Sequence, residues 1–159
     1  MGIGLLIDFL LEVTFGVAFD TVTQGFMSYQ DLSTVRAMSM KEKEAFLQTI
    51  MLVMMADGGL SEEEQQALDQ KLRRLSLSSE ELDVIERIKR ETSEALHEGR
   101  ARGLVDALLA ALPEKHHQQA MVNVAWEVHR IDDHHVADKM EILHQLCQET
   151  GIFPAGVDG

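Results

Sequence analysis

Three Ser-x-x-Glu steps, Ser39-x-x-Glu42, Ser61-x-x-Glu64 and Ser78-x-x-Glu81, constrain this chain more than any other feature. In each, the serine hydroxyl and the glutamate carboxylate can satisfy one another's orphan backbone amides at the start of a helix. Helical periodicity dominates around them, and no stretch reads as a strand. Pro113 with Glu114 marks a fourth start, because proline is tolerated in a first turn. Gly58-Gly59, Gly99, Gly103 and Gly151 mark breaks. The spacing predicts helices over 3–27, 40–56, 61–75, 79–97, 101–111, 114–130 and 136–149. The expected fold is therefore all-α, one compact domain of about seven helices. Within it, 1–38 is an apolar N-terminal helix and connector, and 39–159 a helical domain.

The bulk numbers exclude several functions. The 159 residues are 45% hydrophobic and 26% charged, enough for one well-formed core. A net charge of −13 opposes a nucleic-acid backbone, so no nucleic-acid partner is expected. A lone cysteine, Cys147, rules out an internal disulfide and points to a reducing, cytoplasmic setting. It lies on the apolar stripe of the last helix and reads as a small core residue, not a nucleophile. Met51, Met54 and Met55 likewise read as core filling. No glycine-rich phosphate loop occurs, since Gly58-Gly59 lacks a following lysine, and the chain carries no catalytic constellation.

Residues 1–27 are strongly apolar but interrupted by Asp8 and Glu12, and the first cation is Arg36. A secretory signal wants a basic start, and a spanning helix wants basic flanks. Asp8, Glu12, Asp20 and Gln24 make one polar arc on an oily rod. That pattern suits burial against the domain or a partner chain, including a second copy of this one. Membrane contact is at most peripheral, because an arc without Lys or Arg suits anionic lipid poorly.

Two turns collect potential ligands. In VMMADGGLSEEE (53–64), Asp57, Gly58, Leu60 and Glu64 match the fifth, sixth, eighth and twelfth places of a calcium loop. Val53 and Met55 would then occupy the first and third places and cannot coordinate a hard cation, so an ordinary EF-hand is excluded. What survives is half a loop. Asp57 and Glu64 serve either as a capped turn alone or also as ligands for a cation or a basic group. The second turn, His129-Arg130-Ile131-Asp132-Asp133-His134-His135, offers imidazoles and carboxylates of the kind that suit zinc, nickel, copper or iron. Its spacing matches no established signature, and Arg130 opposes a bound cation. Candidate metal ligands are accordingly Asp57, Glu64, Asp132, Asp133, His134 and His135, with Ca2+, Zn2+ or Mn2+ as the ion. His116-His117, His97 and His144 read as surface residues, and the basic run Arg87, Lys89, Arg90, Arg100 and Arg102 as a solvated face.

A faint internal repeat relates Asp57-Gly58-Gly59-Leu60 to Asp133-His134-His135-Val136, each turn followed by apolar residues at helical spacing. With Ala56 through Glu64, the Met/Leu-rich helix before them, and Leu146 through Pro154, the chain resembles the TerB-like family of tellurite-resistance proteins over roughly 40–155. The resemblance implies an all-helical, non-enzymatic, intracellular bacterial domain tied to stress response and metal-linked signalling. It also implies that Asp57 and Glu64 face a shared polar surface. Asp-His-His replaces the family's Asp-Gly turn in the second repeat. The functional expectation is an interaction domain whose acidic hairpin face takes a protein partner or a divalent cation. The alternatives are an acidic inhibitor or immunity-type protein that neutralises a basic partner, and a metal-dependent hydrolase.

Overall fold

Residues 45–55 form an unbroken buried run, which in a helix means packing around its whole circumference. This run belongs to α2 (Met40–Met55), and its neighbours are explained by the need to cover it. A computed structural model describes residues 29–56, 79–131 and 137–154, with the single positions 62, 66 and 69. Six helices lie among them: α1 (Tyr29–Ala37), α2, α3 (Ser79–His97), α4 (Ala101–Ala111), α5 (Lys115–Ile131) and α6 (Ala137–Thr150); the expected helices over 3–27 and, save for those single positions, 61–75 fall outside the described residues. The described residues contain no strand, and no helix among them is long and apolar enough to cross a membrane.

The predicted boundaries of α2 through α6 agree with the observed ones to within a residue or so, for local reasons. Ser39 caps α2 as expected: its hydroxyl accepts from the Glu42 amide at 3.2 Å, and the Ser39 amide donates to Glu42 Oε1 at 2.9 Å. The Glu114 carbonyl accepts from the His117 and Gln118 amides, so Pro113 lies just ahead of the first turn of α5. α3 ends in a Schellman turn. Gly99 (φ 71°) donates to the Leu96 carbonyl, and Arg100 reaches back to that of Ala95. Gly151 (φ 71°) closes α6 with a bond to the Cys147 carbonyl.

Two expectations are corrected. Residues 29–37, placed in a connector, form α1. Their sequence is mostly polar, so the helix is stabilised by tertiary contacts: Val35 and Met38 are buried, and Asp31 accepts from Asn123 of α5 at 3.1 Å. Gly103 does not break the chain but lies inside α4, with open space where a Cβ would stand. We therefore expect Gly103→Ala to stabilise the protein by about 0.5–1 kcal/mol. Gly99→Ala, forced to hold a positive φ, should destabilise it by about 1 kcal/mol. Urea denaturation of both variants checks the opposite signs.

Around α2 the other helices pack as amphipathic covers, with α3, α4, α5 and α6 all in contact with it. α3 buries Ile85, Ile88, Thr92 and Ala95, one helical stripe. α5 contributes Ala120, Met121, Val124, Ala125 and Trp126, and α6 contributes Ile142, Leu143, Leu146 and Cys147. Met51, Met54, Met55 and Cys147 are core residues, as the sequence reading expected. Part of the basic run is paired at the surface: Arg87 meets Glu44 at 3.1 Å, Lys89 meets Glu86 at 3.5 Å, and Arg100 meets Glu98 at 2.7 Å. Lys115 turns from the start of α5 to cap the last turn of α6 through the Thr150 carbonyl.

Candidate functional site

All six candidate ligands read from the sequence, Asp57, Glu64, Asp132, Asp133, His134 and His135, lie outside the described residues. Two described residues stand close to them along the chain. Ala56, the C-cap of α2, directly precedes Asp57, and Asp138 lies in the first turn of α6, just after the second turn. Both line the same cleft, of about 560 Å3, between the end of α3 and the starts of α4 and α6. Asp138 and Glu141 present carboxylates from α6, and Arg102 and His97 add cationic or titratable groups from α4 and α3.

The floor of this cleft is held by Gln145, whose side-chain amide donates to the Arg102 carbonyl at 3.0 Å. The same amide lies 3.4 Å from Asp106 Oδ1 and 3.3 Å from Glu149 Oε1. Desolvation, and then a hydrogen bond and charge repulsion from Asp106, hold the Glu149 carboxyl above its ordinary range, with Gln145 and Arg102 opposing. A raised carboxyl binds its proton more tightly folded than unfolded. Its favourable contribution is complete below the ordinary carboxylate pKa and is lost as pH rises through the raised value. Glu149→Gln should accordingly raise the melting temperature at neutral pH, with the gain closing as the pH falls through the carboxylate range. Paired thermal melts read this directly.

A second cluster was not expected. His117 was assigned to the surface, but it is 6% exposed. It stands one turn before Met121, on the buried stripe of α5, where Glu42 of α2 meets it. Glu42 Oε2 lies 2.8 Å from His117 Nδ1, an approach that is close but oblique to the ring N–H. The other Glu42 oxygen is engaged by Ser39. The Ser39 amide, and to a smaller extent its hydroxyl and the charge of His117, hold the Glu42 carboxyl below its ordinary value against a desolvation effect of opposite sign. The stability it lends is complete above the ordinary carboxylate range and is lost as pH falls through the lowered value.

Glu114 Oε2 sits 3.2 Å from His116 Nε2 and 3.7 Å from His117 Nε2, and the two imidazole rings are 4.3 Å apart. Glu114 and His116 are exposed, so the cluster has one enclosed member and two on the surface. The signal for it was present in the sequence. Position 117 continues the 117-121-124 stripe, and a capping-box glutamate retains a second oxygen for another partner. What local spacing lacked was any reason to bring α2 and α5 together at these turns. His97 and His144 are exposed, as expected.

No family model, curated protein or solved structure matches this chain.

Proposed function

We propose that this chain is a non-enzymatic helical interaction domain of the TerB-like kind, which takes a basic segment of a partner protein at its acidic turns, with a divalent cation assisting. One observation carries the reading. Ala56 and Asp138, which border the two acid-bearing turns along the chain, line one cleft. On this reading the acids that follow Ala56 and precede Asp138 act on one ligand, which is what the titration below tests. Asp138 and Glu141 add negative charge to its wall, and the net charge of −13 steers a basic partner toward it.

A paramagnetic titration tests the cation. Mn2+ should broaden the amide resonances of Ala56, Asp138 and Glu141, and Asp57→Asn with Asp133→Asn should abolish the effect. Broadening that spares all three positions defeats the reading. The partner is tested with a lysine-rich peptide, which should shift the same resonances. The alternative, an inhibitor-type protein acting through charge alone, is favoured by the surface pairing of Arg87, Lys89 and Arg100 with glutamates of the same chain. It predicts peptide binding that weakens steeply with added salt and does not respond to metal.

A further inference from the structure

We propose that Glu114, His116 and His117 form a binding site for one divalent transition-metal ion of the zinc class, with Glu42 as the residue that positions His117. This site is separate from the acidic turns and does not depend on them. Three donors of the right kind converge, one carboxylate and two imidazoles, and all their ligating atoms lie within 4.8 Å of one another. Tetrahedral bonds of about 2.0–2.2 Å place neighbouring donors about 3.3–3.6 Å apart. The two distances from Glu114 Oε2, 3.2 and 3.7 Å, bracket that range. Imidazole nitrogen with a single carboxylate favours zinc, cobalt or nickel over calcium or magnesium, which prefer shells of oxygen.

The ring of His117 is set for this role by its surroundings. Glu42 Oε2 stands 2.8 Å from Nδ1 and occupies that edge of the ring, which leaves Nε2, 3.7 Å from Glu114 Oε2, as the nitrogen offered to the ion. This is the carboxylate–histidine arrangement that orients a metal ligand from behind. Burial of the ring limits its rotation, and exposure of Glu114 and His116 leaves a path for the ion. Charge also favours a cation. The starts of α2 and α5 each carry about half a positive charge, which the carboxylates of Glu42 and Glu114 together exceed.

Metal-stripped full-length protein titrated with zinc chloride in a calorimeter, and with cobalt chloride in a spectrophotometer, tests the proposal. One ion is expected at this site, with a cobalt ligand-field spectrum, in addition to any ion held by the acidic turns. His116→Ala and Glu114→Gln, both at exposed positions, should weaken zinc by at least tenfold. His97→Ala, His144→Ala and the double variant His134→Ala with His135→Ala should retain it. Glu42→Gln should weaken it about 10–100-fold and shift the cobalt spectrum. Ser39→Ala, which damages the same helix cap without removing the carboxylate, should do neither. Absence of binding at millimolar zinc overturns the proposal. So does a zinc ion that survives His116→Ala and Glu114→Gln, or one lost only with His134 and His135.

Discussion

Phe46→Ala should lower the free energy of unfolding by about 3–5 kcal/mol, the range for removing a fully buried aromatic ring. Phe46 has no exposure and is among the largest side chains wholly enclosed in the fold. It stands near the start of the run in α2 where every residue from Ala45 to Met55 is buried. Because α2 is held by four other helices, none of them can collapse freely into the vacated space. The loss thus combines the transfer of the ring to water with a cavity that stays open. A domain of this size has about 5–15 kcal/mol to lose, so the variant should unfold at markedly lower urea with an unchanged slope. A shift below about 1 kcal/mol would mean that α2 is not the centre of the core.

Trp126→Ala should have an effect of similar size, about 3–5 kcal/mol, and a chemical readout as well. Trp126 is 7% exposed, and its indole N–H donates to Cys147 Sγ at 3.2 Å, joining α5 to α6. Burial pushes the Cys147 thiol above its ordinary pKa, and the Trp126 hydrogen bond only partly opposes this. A buried, protonated thiol reacts with a disulfide reagent chiefly through opened molecules. If the substitution removes about 3 kcal/mol, labelling should accelerate about a hundredfold. Labelling at the native rate in the variant would separate Cys147 from the α5–α6 contact and contradict the packing described above.

Much of this architecture was legible because its signals are local. Ser39 and Glu42 are three residues apart and satisfy each other's amides whatever surrounds them. Gly99 takes its positive φ within its own turn. Arg87 was readable as a surface residue, though its pairing with Glu44 of α2 was not. α1 escaped notice for the opposite reason. Its residues have little helical patterning of their own, and Asn123 and the buried sites of Val35 and Met38 complete it from a distance.

The candidate site divides in the same way. Residue types at fixed spacing singled out two acid-rich stretches, but not that Ala56 and Asp138 beside them share one cleft, which depends on how α2 and α6 are brought together. His117 makes the contrast sharpest. As one of two adjacent histidines near the start of a helix it looked like solvated surface, and its stripe position and the second oxygen of Glu42 were the hints otherwise. The sequence by itself determined where α2 through α6 begin and end and which of their faces are apolar, because hydrogen bonds and periodicity over three or four residues decide those matters. Only the tertiary structure decided which polar groups meet. The Glu42–His117 contact is made by side chains of two helices that approach because apolar stripes elsewhere along them must be buried together.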